Sequence, residues 1–245
     1  MTVRTPCAHS GCNFDALAGA DHCWQHLPDV DEYRSTVLRM GPRGELEGAY
    51  LANVELQEVD LSGCDLTGAN FTGAYLEGAR FKGCKMAGAT LRRAHLSSTS
   101  FEGAHLTGAN LEGAYLQVTS FANANLTGAK LDYVSARNAD FVKARLIEAS
   151  AVSADFRAAN LNSADCTLLN APWLFGFQAS LQDAVLRSAN LGGAKLLEAN
   201  LTGADCYDIN LVGADLSFAR ADRAAFQRGR LGLCNLYAAR LNEAD

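Results

Sequence analysis

The sequence has no apolar run that approaches the length of a membrane span, and its N-terminus lacks the basic and apolar stretches of a signal peptide. It also lacks a glycine-rich phosphate loop between a strand and a helix, and it lacks a nucleophile elbow. These absences remove the usual signals for membrane insertion, secretion and catalysis. We therefore expect a cytoplasmic protein that is not an enzyme and does not enter a membrane.

A five-residue repeat dominates the sequence instead and runs without a slip from Gly44 to Glu243, which is forty consecutive pentapeptides. Leu, Phe or Met occupies most of the fifth positions from Leu46 to Leu241, and alanine usually stands two residues earlier. A helix needs apolar residues about every 3.6 positions and a strand needs them every 2, so a period of five fits neither. The repeat predicts a solenoid in which one small and one large apolar residue of each unit point inward.

Single units of this repeat resemble the pentapeptide-repeat family, whose pattern is A(D/N)LxX. Clear examples are Ala69-Asn70-Phe71-Thr72-Gly73, Ala109-Asn110-Leu111-Glu112-Gly113 and Ala204-Asp205-Cys206-Tyr207-Asp208. The resemblance implies an all-β solenoid, a right-handed quadrilateral β-helix with four pentapeptides per coil, and thus about ten coils in residues 44–245. Coils spaced like neighbouring strands, about 4.8 Å apart, would make a rod of roughly 48 Å.

Phenylalanine recurs at the twenty-residue interval that four pentapeptides produce. We expect these residues to stack in one interior column, flanked by Leu61 and Leu161. The column consists of Phe81, Phe101, Phe121 and Phe141.

The N-terminal segment, residues 1–43, precedes the repeat and contains a C-x4-C-x10-C-x2-H pattern. The pattern is formed by Cys7, Cys12, Cys23 and His26. Three thiolates and an imidazole suit a closed, tetrahedral, structural Zn²⁺ site, and about 27 residues hold a fold of their own only with such support. The segment resembles small zinc knuckles. His9 and His22 are spare donors, so the identity of the histidine ligand stays open, and chance clustering is the alternative.

A short helix is predicted between the zinc pattern and the repeat, from Pro28 to Met40. Its apolar stripe recurs at steps of three and four residues and comprises Val30, Tyr33, Val37 and Met40. We expect this stripe to cover the exposed core of the first coil, because a solenoid needs capped ends. Residues 1–43 would then form a knuckle with a capping helix, and residues 44–245 the β-helix.

The repeat continues to the end of the sequence at Asp245 without a matching cap. An uncovered coil presents unpaired backbone groups, so we expect an end-to-end homodimer through the C-terminal coil. A partner protein at this end and fraying of the last coil are the alternatives.

The repeat weakens between Leu169 and Gln178 while keeping its register. Leu169 and Leu174 stand where alanine is expected, and Ala171 and Gly176 stand where leucine is expected. This exchange conserves core volume but places large aromatic residues at outward positions. The predicted partner-binding patch comprises Trp173, Phe175, Phe177, Leu197 and Phe218. A local bulge that folds the aromatic residues back onto the rod is the alternative.

The five cysteines of the repeat are interpreted as small buried hydrophobic residues. Cys64, Cys84 and Cys234 occupy alanine positions, whereas Cys166 and Cys206 occupy leucine positions. A redox role would need an exposed thiol of lowered pKa. On the outside, His95 is predicted to lie between Tyr75 and Tyr115 in a surface ladder rather than in a catalytic cleft.

Two functions compete on this basis. The first is a non-enzymatic scaffold that binds a protein partner through an exposed face or its C-terminal end. The second follows from the family resemblance, since some members mimic DNA, bind DNA gyrase or topoisomerase IV, and protect it from quinolones or other gyrase poisons. A DNA mimic should show continuous acidic ladders, whereas this chain has a net charge of −6 and basic last coils. Direct nucleic-acid binding is not expected.

Overall fold

The computed structural model describes residues 5–245 and contains a short helical segment followed by a β-solenoid. A 3₁₀ helix spans Trp24–His26, helix α1 spans Val30–Met40, and a second 3₁₀ helix spans Gly41–Arg43. The predicted N-terminal segment also includes residues 1–4, which lie outside the described residues. None of the described helices meets the length and apolarity needed to span a membrane.

The solenoid is held by single parallel β-bridges between residues twenty positions apart, from Tyr50 with Asn70 to Arg220 with Arg240. Twenty residues therefore make one coil, and residues twenty apart stack in what we call a column. Each bridge is flanked by backbone hydrogen bonds, as where Leu51 N–H donates to Asn70 O and Asn70 N–H donates to Ala49 O, both at 2.8 Å. Only one residue of each pentapeptide makes a bridge, so the described chain contains bridges in place of longer strands.

A tight turn closes every pentapeptide and explains the period of five. The N–H of the small inward residue donates to the carbonyl of the large inward residue three positions earlier, for example Ala69 to Leu66 at 3.0 Å. The third residue of this turn has a positive φ, which glycine adopts without steric cost. Bulky residues also stand there, including Val118, Trp173 and Phe218 with φ values of 59°, 61° and 58°.

The interior is a stack of buried side chains, mostly leucine, alanine and phenylalanine. Phe81, Phe101, Phe121 and Phe141 form one column whose successive ring centroids are 5.1, 5.0 and 5.0 Å apart. Phe156 continues the stack beyond Phe141 at 5.1 Å, although it belongs to a neighbouring column. Parallel ring stacking thus follows directly from the twenty-residue interval.

Helix α1 begins two residues later than predicted, because Asp29 is its N-cap and accepts a hydrogen bond from Glu32 N–H at 2.9 Å. Tyr33 and Val37 are buried in the same apolar cluster as Leu46 and its neighbours. The predicted stripe is wrong at Val30, which is 38% exposed, because helix α1 packs on the core through Tyr33, Val37 and Met40.

The N-terminal segment also bonds to the backbone of the first coil. Ala18 N–H donates to Tyr50 O at 2.9 Å, and the Arg34 guanidinium donates to Gln57 O at 2.9 Å. Equivalent carbonyls in later coils, such as Asn70 O, accept from the preceding coil. The segment therefore supplies donors where the first coil has no preceding coil.

Candidate metal centre and exposed aromatic surface

The structure brings together the side chains of Cys7, Cys12, Cys23 and His26. Their ligand atoms all lie within 4.8 Å of one another. The closest pairs are Cys23 Sγ to His26 Nδ1 at 3.3 Å, Cys7 Sγ to His26 Nδ1 at 3.6 Å, and Cys12 Sγ to Cys23 Sγ at 3.7 Å. In a tetrahedral zinc site with metal–sulfur bonds of about 2.3 Å, neighbouring ligand atoms are roughly 3.5–3.8 Å apart. The donor set and its spacing fit such an ion.

Two short elements position these ligands. An antiparallel bridge between Pro6 and Asp15 closes the loop that carries Cys7 and Cys12, and the 3₁₀ helix Trp24–His26 aims His26 back at Cys23. Loop closure is reinforced by Cys7 N–H donating to Phe14 O at 3.0 Å. The site is thus built from one hairpin and one helical turn, which is a small framework for four ligands.

Backbone donors near the thiols favour their ionised form. Cys23 N–H donates to Cys7 Sγ at 3.3 Å. Burial disfavours the Cys7 thiolate, but hydrogen bonds from the backbone and from His26 outweigh it and lower the pKa of Cys7 to about 6. Burial and the adjacent thiols raise the pKa of Cys23. A thiolate of lowered pKa is the form that binds metal.

The structure shows which histidine belongs to the ligand cluster, a point that the sequence left open. His26 contributes its Nδ1 atom to the cluster, whereas His9 stacks on the His26 ring with centroids 3.9 Å apart and an interplanar angle of 11°. His22 is not part of the cluster. Sequence reasoning missed the stacking role of His9, since nothing in the C-x4-C spacing distinguishes a ligand from a neighbour that fixes its ring.

The cysteines of the repeat lie in the interior, as interpreted from their positions. Cys64, Cys84, Cys166 and Cys206 are buried, and Cys234 is partly buried. Burial raises the pKa of Cys84, Cys166 and Cys206 to about 12. A thiol of raised pKa is a poor nucleophile, so these residues act as apolar packing groups.

The predicted patch residues face solvent, and we call this set the aromatic patch. Trp173 is 62% exposed, Phe218 is 52% exposed and Phe175 is 47% exposed, while Phe177 and Leu197 are partly exposed. Bridges from Asp155 to Phe175 and from Phe175 to Lys195 continue through this region, so no bulge interrupts it. The predicted exchange of large and small inward residues is observed, because Leu169 and Leu174 are buried at positions where alanine is usual.

Gly176 explains how the core closes beneath the aromatic patch. A β-carbon at Gly176 would lie 2.8 Å from Leu196 Cδ2, so Leu196 from the next coil fills the space that a leucine would normally take. The inward glycine and the inward Leu174 compensate each other in volume. The aromatic side chains are therefore not needed to fill the core at this point.

Charged side chains on the outside pair across coils and mix both signs. Examples are Arg80 with Asp60 at 3.2 Å, Lys85 with Asp65 at 3.3 Å and Arg187 with Asp205 at 2.6 Å. One largely enclosed carboxylate, Asp155, accepts from both Arg137 and Arg157 at 2.7 Å. Burial opposes ionisation of Asp155, but hydrogen bonds from the two arginines lower its pKa to about 2.

The surface ladder predicted around His95 is present. The His95 ring stacks between Tyr75 and Tyr115, with centroids 4.4 and 4.8 Å apart, and its Nδ1 atom lies 3.8 Å from Glu77. A separate cleft of about 670 Å³ lies between residues 16–21 and the first coil, and its lining contains no histidine, cysteine or lysine.

Comparison with known proteins identifies the family. Family models described as a pentapeptide repeat region and as pentapeptide repeats match residues 54–131 and residues 119–157, 139–170 and 179–217. The chain belongs to the pentapeptide-repeat family, as the A(D/N)LxX units predicted. A comparison with curated proteins found no match.

Solved structures of other family members are similar to this chain. HetL, a pentapeptide-repeat protein involved in heterocyst differentiation regulation from the cyanobacterium Nostoc sp. strain PCC 7120, is 28% identical, with 86% of this chain and 93% of HetL covered and a TM-score of 0.41. QnrB1, a plasmid-mediated fluoroquinolone resistance protein, is 21% identical, with 80% and 87% covered and a TM-score of 0.35. A pentapeptide-repeat protein of the Arabidopsis thaliana thylakoid lumen is 24% identical, with 44% and 65% covered and a TM-score of 0.19. TM-scores below 0.5 do not support transfer of function.

Proposed function

We propose that this protein is a non-enzymatic pentapeptide-repeat scaffold that binds another protein through the aromatic patch. The observation that carries the proposal is the exposure of three large aromatic residues close together, Trp173 at 62%, Phe218 at 52% and Phe175 at 47%. The core beneath them closes without their side chains, because Leu196 fills the space at Gly176. An exposed aromatic cluster on an otherwise polar surface is typical of a binding surface.

The architecture behind this function is a right-handed, four-sided rod of about ten coils in residues 44–245, with residues 1–43 as its N-terminal cap. The twenty-residue bridges support the coil length. The hydrogen bonds from Ala18 and Arg34 to the first coil support the capping role. A rigid rod of this kind presents side chains at fixed positions, which lowers the entropic cost of binding.

The N-terminal cluster would hold a structural zinc ion through Cys7, Cys12, Cys23 and His26. Four protein ligands close a tetrahedral coordination sphere, so the ion would stabilise the fold of the cap rather than activate water. The bound ion would fix the hairpin and the helical turn that lead into helix α1. Zinc would thus act on stability at the N-terminal end of the rod.

The alternative function is DNA mimicry, with binding to DNA gyrase or topoisomerase IV and protection from quinolones or other gyrase poisons. A mimic needs carboxylates that stay unpaired along one side of the rod. The ion pairs Arg80 with Asp60, Lys85 with Asp65 and Arg187 with Asp205 neutralise acidic groups here, and this favours the scaffold. End-to-end dimerisation through the last coil and a cytoplasmic location stay predictions.

A photo-crosslinking experiment tests the scaffold. A photoreactive phenylalanine analogue replaces Phe177 in living cells, and a matched control carries it at Tyr207, an exposed aromatic residue outside the aromatic patch. We expect a specific protein adduct from position 177 and none from position 207. An adduct with a gyrase or topoisomerase subunit would establish the alternative, and equal adducts from both positions would contradict the scaffold.

A further inference from the structure

His9 contacts three residues of the ligand cluster without contributing a ligand atom to it. Its ring stacks on the His26 ring, with centroids 3.9 Å apart and an interplanar angle of 11°. Its carbonyl accepts a hydrogen bond from Cys12 N–H at 3.1 Å, and its backbone also forms a hydrogen bond with the Cys7 side chain. The two backbone contacts do not depend on the side chain, so the ring of His9 acts on His26 alone.

The His26 ring uses one nitrogen in the cluster and has no protein partner for the other among residues 5–245. Its Nδ1 atom lies 3.3 Å from Cys23 Sγ and 3.6 Å from Cys7 Sγ, and its further contact is the stacked ring of His9. A metal-binding histidine usually donates its second ring N–H to a hydrogen-bond acceptor, and that bond orients the ring. In the described part of the chain, a stacking contact stands where that bond is usual.

Backbone geometry alone leaves the orientation of the His26 ring open. His26 ends the 3₁₀ helix Trp24–His26, and its N–H donates to Cys23 O at 3.0 Å. These contacts fix the backbone but not the ring, because the χ2 torsion of histidine has broad energy minima. A contact with the flat face of the ring therefore fixes the plane in which its nitrogens lie.

We infer that His9 is a positioning residue for the proposed metal site, and that its ring holds the His26 ring in the plane that directs Nδ1 at the three thiols. The inference rests on the proposed zinc site and concerns how firmly that site retains its ion. Rotation of His26 about χ2 out of this plane would separate the two stacked rings. Groups that orient a ligand from outside typically change metal affinity about 10–100-fold.

A direct ligand role for His9 fits the structure less well. The ligand atoms that all lie within 4.8 Å of one another belong to Cys7, Cys12, Cys23 and His26, and this set already closes a tetrahedral sphere. The side chain of His9 is exposed, as expected for a ring that covers the outer face of a ligand. Its contribution is therefore a planar surface rather than a donor atom.

Substitutions of His9 in the full-length protein test the inference. The variants are loaded with zinc, and transfer of the ion to a chromogenic chelator is timed. We expect release about tenfold faster from His9→Ala and from His9→Leu, which lacks a planar ring. His9→Phe, which keeps one, should stay within about twofold of the wild type. His22→Ala is the matched control and should release zinc at the wild-type rate, because His22 lies outside the cluster.

Cobalt(II) absorption spectra report the ligand set separately from the rate of release. The spectrum of three thiolates and one imidazole should persist in every His9 variant and change in His26→Ala. Equal release from the wild type, His9→Ala and His9→Leu would overturn the inference. Release from His9→Phe as fast as from His9→Ala, or loss of the imidazole ligand in His9→Ala, would show that His9 acts through its nitrogen. A wild type that binds no zinc would instead refute the proposed metal site itself.

Discussion

The indole of Trp173 lies directly over Gly193, the residue one coil further along, and a β-carbon at Gly193 would overlap the indole ring. Both residues have left-handed backbone, with φ values of 61° and 69°. Gly193 therefore does two things at once, since it adopts the turn conformation without steric cost and leaves room for the ring above it. The orientation of the most exposed ring in the aromatic patch depends on this missing side chain.

Replacing Gly193 by Ala should displace Trp173 and weaken partner binding. It should also lower the free energy of unfolding by about 1–2 kcal/mol, because alanine is strained in the left-handed conformation. Gly213→Ala is the matched control, because Gly213 has the same φ of 69° and a β-carbon there would meet nothing within 4 Å. Thermal unfolding and binding are measured on both variants. Equal losses of binding for the two variants would show that the indole orientation has no role.

Replacing Tyr133 by Gly should stabilise the protein by about 1 kcal/mol, because Tyr133 has a φ of 59° and is 63% exposed. Tyr133→Ala is the control, since it removes the ring but keeps a β-carbon in the strained conformation. Denaturant unfolding compares the two variants with the wild type. A Gly variant no more stable than the Ala variant would mean that the turn stores no strain there.

Replacing Phe121 by Ala should lower the free energy of unfolding by about 3–5 kcal/mol. Phe121 is stacked between Phe101 and Phe141 at 5.0 Å, and the bridged coils cannot move together to fill the gap. Thr127→Ala, on the outside of the rod, should change stability by less than about 0.5 kcal/mol. A loss below about 1 kcal/mol for Phe121→Ala would mean that the coils do collapse.

Replacing Cys23 by Ser should release zinc and loosen residues 5–43, while the coils beyond the first keep their structure. Metal content by atomic emission and hydrogen exchange by mass spectrometry report the two effects separately. His22→Ala should retain the metal, because His22 lies outside the ligand cluster. Loss of exchange protection along the whole rod would show that cap and solenoid fold as one unit.

Acid should remove part of the stability through Asp155. Its folded-state pKa, about 2, lies below the ordinary aspartate value of 3.8, because the hydrogen bonds from Arg157 and Arg137 outweigh the cost of burial. The stabilisation is therefore complete above about pH 4 and is lost as pH falls through about 2. Solvent screening limits it to about 1–2 kcal/mol. Asp155→Asn should lower stability at neutral pH and equal the wild type near pH 2, and a deficit independent of pH would contradict this.

Much of the fold follows from the sequence because a period of five without insertions leaves a single register. The spacing of Phe81 and Phe101, together with the four pentapeptides per coil that the family resemblance implies, predicts their stacking, and the C-x4-C-x10-C-x2-H pattern predicts the ligand cluster. Contacts between elements were not predictable. The bond from Arg34 to Gln57 O depends on how helix α1 lies on the first coil, and no local pattern encodes that angle.

Exposed aromatic residues outside the aromatic patch lay partly within reach of the sequence. Numbering by twenties places Tyr133 in the column of Trp173 and Tyr237 in the column of Phe177, but only the observed bridges establish that columns are straight. The irregular stretch from Leu169 to Gln178 led to the aromatic patch, and Tyr133 and Tyr237 were overlooked. The positive φ values at the turn residues of the whole solenoid required coordinates.

The most direct test of the scaffold uses the partner protein that the photoreactive residue at position 177 captures. Calorimetry measures the affinity of this partner for the wild type and for the Trp173→Ala/Phe175→Ala/Phe177→Ala variant, and melting curves of both proteins are recorded. We predict a loss of at least about a hundredfold in affinity with a melting temperature that is not lowered, because none of the three side chains fills the core. Equal affinities, or a variant that binds weakly only because it unfolds, would contradict it.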